Sequence, residues 1–67
     1  MNKNFFNGVV ARAGLTHKEL AKRINMSKNT LSSRINGKSK FNTEEIDKIC
    51  YELNITEDRE KVEIFLN

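Results

Sequence analysis

The stretch "LTHKELAKRINMSKNTLSSRING", residues 15–37, carries the signals of two short helices in direct succession. Thr16 followed three residues later by Glu19 is the capping-box pattern, in which each side chain bonds the backbone amide of the other residue. Ser27 is a second residue of the type preferred at an N-cap, and Gly37 is placed to close a helix in the left-handed conformation. The stretch therefore predicts two helices that start at these two caps.

Only Asn25 and Met26 remain for the turn between these helices. Asn is the non-glycine residue that most readily adopts a positive φ, which a turn this short favours. The second helix of the pair then runs from about Lys28 to Asn36. Two short helices joined in this way have the layout of a helix-turn-helix unit, here at about residues 16–36.

Apolar residues recur at helical spacing on both sides of this unit. They are Phe6, Val9, Val10 and Ala13 before it, and Ile46, Ile49, Cys50 and Leu53 after it. Asn42 with Glu45 repeats the capping-box pattern at the start of the later helix. The chain has no Pro and three Gly, so few residues interrupt a helix. The sequence predicts an all-α fold, a compact bundle of four to five short helices.

Length and composition restrict the kinds of site that the chain can build. We expect its 67 residues to form one small domain, residues 1–67. One Cys and one His supply neither an internal disulfide nor a zinc ligand set, so no metal or cofactor is expected. Cys50 lies on an apolar helix face and is predicted to be a buried hydrophobe rather than a reactive thiol. The absence of a membrane-length apolar run and of a signal-peptide core predicts a cytoplasmic protein.

Charge is segregated along the chain. Residues 1–40 contain nine basic residues and one acidic residue, a net charge of +8, whereas residues 41–67 contain three basic and eight acidic residues, a net charge of −5. An ordinary solvated surface can be patchy, but the near absence of acids from the first forty residues favours an electrostatic footprint for a polyanion. The later acids are explained by the positive start of a helix and by a solvated face.

Four segments together carry a resemblance to a known family: "LTHKELA" (15–21), "MSKNTLS" (26–32), "NGK" (36–38) and "EIDKICYELNI" (45–55). Their spacing resembles the phage repressor/Cro type of helix-turn-helix proteins, the XRE-like group. The resemblance implies a bundle of the λ-repressor-like DNA-binding type. It further implies a homodimer, at least on DNA, that binds a pseudo-palindromic double-stranded operator. No small-molecule ligand is expected, because no residues remain for a sensor domain.

The chain departs from this family pattern at three places. His17 stands where Gln is usual, and Asn25 stands where Gly is frequent. In several members an acid before Asn-Gly pairs with an Arg in the first helix, and the matching positions here are Ile35 and Val10. Hydrocarbon thus replaces a buried ion pair, a change that is often neutral or stabilising because no charges need to be desolvated.

The third helix is the element that we expect to read DNA. Leu31 and Ile35 point inward at i, i+4, which leaves short polar side chains outside. Lys can donate to guanine O6 and N7, Asn can pair with adenine, and Ser or Thr can contact several bases. The residues predicted to contact base edges are Lys28, Asn29, Ser33, Thr30 and Ser32. For any one of them, a merely solvated helix start is the alternative.

Phosphate contacts are implied, by the resemblance, at the amide end of the second helix and in the loop after the third. The predicted residues are Thr16, His17, Ser27, Asn36, Lys38 and Lys40. His17 is equally compatible with an ordinary surface position. A metal or general-base role for this His needs partners that the sequence does not supply.

The last apolar stretch, "VEIFL", fits two structures. Val62, Phe65 and Leu66 suit a final helical turn, whereas Val62, Ile64 and Leu66 alternate as in a strand. We favour a short fifth helix that starts near Thr56. Phe65 and Leu66 are then predicted to form a dimer contact, and packing of the tail on the two Phe residues of the first helix is the alternative.

These observations predict a sequence-specific regulator of transcription, a Cro- or repressor-like protein of a phage or prophage that reads the major groove with its third helix. An antitoxin-like or other protein-interaction module stays open, in which the acidic C-terminal half binds a protein partner. An enzyme is not expected, because no nucleophile arrangement or metal set is present. RNA binding would need stacking platforms that the basic half lacks beyond Phe5 and Phe6.

Overall fold

The structure, a computed structural model, describes residues 1–66 of the chain. Its helices are α1 (Lys3–Arg12), α2 (His17–Arg23), α3 (Lys28–Ile35), α4 (Thr43–Glu52) and α5 (Asp58–Phe65). No strand occurs within these residues, which confirms the predicted all-α fold. None of the described helices is both long and apolar enough to cross a membrane.

Side-chain caps start α2, α3 and α4 at the predicted residues. In the box at α2, Thr16 Oγ1 accepts from the Glu19 amide at 3.1 Å, and Glu19 Oε1 accepts from the Thr16 amide at 2.9 Å. The Asn42 and Glu45 pair repeats both bonds at 2.7 and 3.0 Å. Ser27 Oγ accepts from the amide of Thr30 in the first turn of α3. These bonds satisfy amides that the helix itself leaves free.

Two left-handed residues close α2 and α3. Asn25 has a φ of 58° and Gly37 a φ of 81°, as the turn chemistry predicted. In each case the following amide bonds back across the helix end: Met26 to the Ala21 carbonyl at 2.8 Å, and Lys38 to the Ser33 carbonyl at 2.9 Å. This is the Schellman arrangement, in which two successive amides of the α2–α3 turn, those of Asn25 and Met26, bond carbonyls of the last turn of α2.

One hydrophobic core joins all five helices. Each helix contributes one side chain that is fully buried: Phe6, Leu20, Leu31, Ile49 and Ile64. Val10 and Ile35, at the positions of the family's ion pair, are 2% and 6% exposed and belong to the same core. The orientation of α3 is therefore set by apolar packing rather than by a buried charge.

Cys50 lies in this core at 6% exposure, as predicted. Desolvation by burial raises the pKa of its thiol above the ordinary value. A raised pKa keeps the sulfur in its protonated form at neutral pH, and the protonated form is a weak nucleophile. The residue therefore acts as a small apolar side chain.

The C-terminal stretch is helical, not a strand. α5 begins at Asp58, two residues later than the predicted start near Thr56. Its inward side chain is Ile64, whereas Val62 is 52% exposed and Leu66 is 79% exposed. The sequence grouped Val62 and Leu66 with the inward side of this helix. The inward side carries Ile64 instead, because the start of α1 lies against that side of α5.

The start of α1 and the end of α5 are joined directly. The Asn2 amide donates to the Ile64 carbonyl at 2.8 Å, and Asn2 Oδ1 accepts from the Phe5 amide to cap α1. Phe65 is half-buried, with its ring edge-on to that of Phe41 at 5.7 Å. The tail thus contacts the start of α1 through its backbone, while the ring partner of Phe65 is Phe41 rather than the two Phe residues of α1, and Leu66 is exposed.

Candidate nucleic-acid interface

α3 presents a polar face to solvent opposite its two core residues, Leu31 and Ile35. The exposed side chains on this face are Lys28, Asn29 and Ser32. They combine one cation, one amide and one hydroxyl, which are the groups that hydrogen-bond base edges in the major groove. A helix start with this chemistry suits the reading position of a helix-turn-helix unit.

Two of the predicted base-contacting residues are less accessible than the others. Thr30 is half-buried, and its hydroxyl accepts a bond of 2.8 Å from Ser27 Oγ. Ser33 is also half-buried, at the point where the following loop folds back to bond its carbonyl. The solvent-exposed part of the α3 face therefore contains fewer of the predicted residues than helical periodicity alone indicated.

At the start of α2, His17 is tied to α1. Its Nε2 lies 2.8 Å from Asn7 Oδ1, and its ring centroid is 5.9 Å from that of Phe6. Because an amide oxygen only accepts, Nε2 carries the proton in this contact and Nδ1 is left for other partners. Thr16 Oγ1 already accepts the Glu19 amide, so its remaining capacity is the hydroxyl proton. Asn7, which the sequence did not single out, thus fixes the His17 ring, whose Nδ1 is an acceptor in the neutral form, so a phosphate contact at this position falls to the backbone amide of His17.

Lys3 reaches the end of α3, 33 residues away in the chain. Its Nζ donates to Asn36 Oδ1 at 3.1 Å, and Asn36 Nδ2 donates to Ser32 Oγ at 3.2 Å. The chain places a cation in the first turn of α1, where no acid offsets it against the positive helix end. That unfavourable placement is the local signal that could have marked Lys3 as a residue of the basic surface.

Arg34 joins α3, the following loop and α4. Its Nε and Nη2 donate to the two carboxylate oxygens of Glu45 at 2.8 and 3.0 Å, and its Nη1 donates to Ser39 Oγ at 2.8 Å. Glu45 Oε1 also accepts from the Asn42 amide. In the sequence, Arg34 was counted only among the basic residues of 1–40, whereas its side chain is 21% exposed and each of its three guanidinium nitrogens donates a hydrogen bond.

The Arg34–Glu45 pair is ionised on both sides at neutral pH. The guanidinium hydrogen bonds of Arg34, and after them the Asn42 amide, hold the pKa of the Glu45 carboxyl below its ordinary value. The same contact raises the pKa of Arg34. A paired and hydrogen-bonded carboxylate is favoured in its charged form, which keeps the fork-to-carboxylate geometry intact.

Arginines and lysines of the basic half differ in their partners. All three arginines of residues 1–40 pair with acids that follow residue 41: Arg12 with Glu60, Arg23 with Glu52, and Arg34 with Glu45. Within residues 1–66, none of the six lysines of the same segment takes part in an ion pair. These lysines are Lys3, Lys18, Lys22, Lys28, Lys38 and Lys40. The positive charge left for a partner is thus carried by lysine.

A short turn between α2 and α3, a polar α3 face and nearby lysines that form no ion pair within residues 1–66 define a DNA-binding domain of the helix-turn-helix class. The sequence model of the helix-turn-helix family matches residues 10–59 of the 67. The chain belongs to this family, in its XRE, λ-repressor-like type, whose members are DNA-binding regulators of transcription. Comparison with curated proteins and with solved structures gave no significant match.

Proposed function

We propose that this protein regulates transcription by binding a specific operator in the major groove of double-stranded DNA through α3. The observation that carries the proposal is the exposed face of Lys28, Asn29 and Ser32, flanked by lysines that lack an acidic partner among the described residues. If α3 only met solvent, there would be no reason for the arginines of residues 1–40 to be ion-paired while the lysines of the same segment form no ion pair within residues 1–66. The family supports the same element as the reading helix.

Base readout is assigned chiefly to the first turn of α3. Arg34, the one arginine of this helix, is occupied by Glu45, so guanine O6 and N7 fall to Lys28. Asn29 has the amide that pairs with adenine N6 and N7. Ser32 and Ser33 add hydroxyl contacts one turn on, and Thr30 lies at the edge of the face.

Phosphate contacts are assigned to groups that surround the base-reading face. Thr16, His17 and Ser27 lie on one side of it, at the starts of α2 and α3. On the other side are Asn36, Lys38 and Lys40 of the loop, and we add Lys3, since it bonds Asn36. Contacts of this kind position the protein and make its affinity salt-dependent, but they carry no sequence information.

A homodimer is the form that we propose to occupy the operator. The longest extent of the described residues is 27 Å, less than the roughly 34 Å that separates half-sites one helical turn apart. A depression of about 530 Å³ lies beside the tail, bordered by Arg34, Ser39 and Lys40 and by five apolar side chains. Those side chains are Met1, Phe41, Ile46, Phe65 and Leu66. A second copy related by a two-fold axis could cover this surface and present its own α3 to the other half-site.

The remaining assignments rest on the resemblance of the motifs. We propose a Cro- or repressor-like regulator of a phage or prophage, in which residues 1–67 form one DNA-binding domain that acts in the cytoplasm. The acidic half offers less free charge to a basic protein partner than its composition indicates. Its acids Glu45, Glu52 and Glu60 already bond arginines of the same chain. This internal neutralisation favours the regulator over an antitoxin-like module.

The experiment that tests the proposal is selection of bound duplexes from a random DNA library, followed by titration of the best sequence at several salt concentrations. We expect a short palindrome and a linear fall of log affinity with log salt, with a slope of about −0.9 per phosphate contact. Weak binding with no enriched motif would contradict sequence-specific regulation. Capture of a protein partner by the acidic half would then be the reading to pursue.

A further inference from the structure

The loop between α3 and α4 carries two of the proposed phosphate contacts, Lys38 and Lys40, on either side of Ser39. The first part of this loop is held by its own backbone, since the Gly37 and Lys38 amides bond the carbonyls of α3. Among the described residues, the amides of 39–41 donate no backbone hydrogen bond. The position of the second part of the loop must therefore come from side chains.

Phe41 packs on Phe6 and Phe65 at the end of the loop, and Arg34 supplies the connection at Ser39. One guanidinium edge takes both oxygens of Glu45 on α4, and the remaining nitrogen takes the Ser39 hydroxyl between the two lysines. Glu45 in turn holds the Asn42 amide at the far end of the loop. The guanidinium thus sets three points at once: the body of α3, the centre of the loop and the first turn of α4.

The planar shape of the guanidinium matters for this role. Its donors lie in one rigid fork, so a bidentate bond to Glu45 fixes where the third donor points, whereas an ammonium group has no such directional constraint. Because the Arg34 side chain is only 21% exposed and its nitrogens are engaged, it is poorly available to contact phosphate itself. Its effect on a DNA partner would have to pass through the residues that it holds.

We propose that Arg34 is a positioning residue for DNA binding, which places Lys38 and Lys40 relative to α3 so that phosphate contacts and base contacts fall in one register. This inference rests on the proposed function. Its consequence is that the two lysines lose much of their value for affinity when the Arg34–Glu45–Ser39 connection is broken, although both lysines are still present.

The first test is affinity for the selected operator as a function of salt, measured for R34K, R34A and wild type. We expect R34K, which keeps the charge, to bind about tenfold more weakly and to reduce the salt slope by about one to two, the value of one or two phosphate contacts. The preferred DNA sequence should not change. Arg12→Ala is the matched control, since it removes an arginine that pairs with Glu60 at the C-terminal end of α1. This variant should leave the salt slope unaltered.

A second variant distinguishes the positioning effect of the Arg34–Glu45 pair from the effect of net charge on DNA affinity. Glu45→Gln raises the net positive charge by one, so a purely electrostatic view expects tighter binding to DNA. Loss of the bidentate partner should instead weaken binding and reduce the salt slope, as in R34K. Tighter binding by E45Q would overturn the proposal.

The third test combines R34A with Lys38→Ala and Lys40→Ala in a double-mutant cycle. If Arg34 acts through the two lysines, removing it in the background that lacks them produces no further fall in salt slope. A further fall of about one would identify a direct phosphate contact and overturn positioning. A lowered Tm with an unchanged slope would identify a purely structural role and overturn it as well.

The failure of this inference is distinguishable from failure of the proposed function. If wild type enriches no DNA sequence, the regulator and the role of Arg34 fail together. If wild type enriches a palindrome and the folded Arg34 variants keep its salt slope, only the role of Arg34 fails. Circular dichroism of each variant at the assay temperature identifies those that are folded.

Discussion

Lysine and arginine within residues 1–40 have different partners, although each carries one positive charge. The arginine fork matches a carboxylate in two bonds, as Arg34 does with Glu45, whereas the lysine ammonium is a strongly hydrated point charge that keeps its freedom at a surface. Arginines therefore connect the basic half to the acidic half of the chain. The lysines of residues 1–40 form no ion pair within residues 1–66, so under the proposed function they are the cations that contact DNA, and these contacts should vary strongly with salt.

At the base-reading face, we expect Lys28→Ala or Asn29→Ala to cost about 1–3 kcal/mol on the selected operator and to relax the preference at one base pair. The reason is that each side chain supplies donors that fit one base edge and not the others. The measurement is titration of operators that carry single base-pair changes. An unchanged preference in both variants would remove α3 from the readout.

Lys3→Ala is the matched variant for a contact that carries no sequence information. It removes a cation that bonds Asn36 at the end of α3 without touching the exposed first turn of that helix. We expect it to weaken binding to all sequences alike and to reduce the salt slope by about one. A change in base preference would show that Lys3 reaches the bases instead.

At the scale of single elements, the starts of α2 and α4 depend on ionised carboxylates. The Thr16 backbone amide, followed by its hydroxyl, lowers the pKa of Glu19, and Arg34 lowers that of Glu45. A carboxyl whose pKa is lower in the folded state stabilises the fold above its unfolded pKa. That contribution is lost as pH falls through the folded value. Protonation of Glu19 and Glu45 is therefore expected to destabilise the starts of α2 and α4, the two helix starts at which the sequence predicts a capping box.

We expect the free energy of unfolding of the wild type to fall as pH decreases below the ordinary Glu value of 4.5. Glu45→Gln should destabilise the protein at neutral pH and make this acid dependence shallower, since Gln has no proton to gain there. The measurement is urea unfolding at several pH values between 3 and 7. Glu44→Gln, an 82% exposed neighbour in the same turn, is the control and should change the dependence less. Equal pH profiles for E45Q and wild type would contradict the role of the pair.

At the scale of the whole molecule, one core sets the direction in which α3 faces. Every helix contributes one fully buried side chain to this core. α3 therefore cannot rotate without disturbing its packing against the other four helices. The exposed α3 residues and the start of α1 are thereby held in fixed relative positions, and Lys3, Asn36 and Ser32 are joined by hydrogen bonds. Leu66, which is 79% exposed at the end of α5, borders the depression that the proposed second copy would cover.

We expect Leu66→Ser to weaken dimer formation and lower affinity for the full palindrome, while binding to an isolated half-site is retained. Leu66 is the better position for this test, because Phe65 packs on Phe41 and its loss would also disturb the fold. The measurement is sedimentation with and without operator. Tyr51→Ser, at an 83% exposed position on α4 outside this depression, is the control. Unaltered mass and operator affinity in L66S would place the dimer contact elsewhere.

The amino-acid sequence by itself determined the starts of α2, α3 and α4, the turn and the class of fold. These features depend on residues within about four positions of one another, so they can be predicted from a linear sequence. They are the capping pairs, the left-handed Asn25 and Gly37, and the inward spacing of Leu31 and Ile35. The polar face of α3 followed from the same periodicity. This is why the helix-turn-helix unit and its exposed residues could be predicted.

Only the tertiary structure decided which charges remain free and which surfaces are covered. Arg34 meets Glu45 across 11 residues and Lys3 meets Asn36 across 33, distances at which spacing says nothing about contact. Ile64 turns inward because the start of α1 lies against it, which helical periodicity within α5 could not reveal. These features arise from the way in which separate helices pack in three dimensions, and no local pattern in the sequence encodes that arrangement.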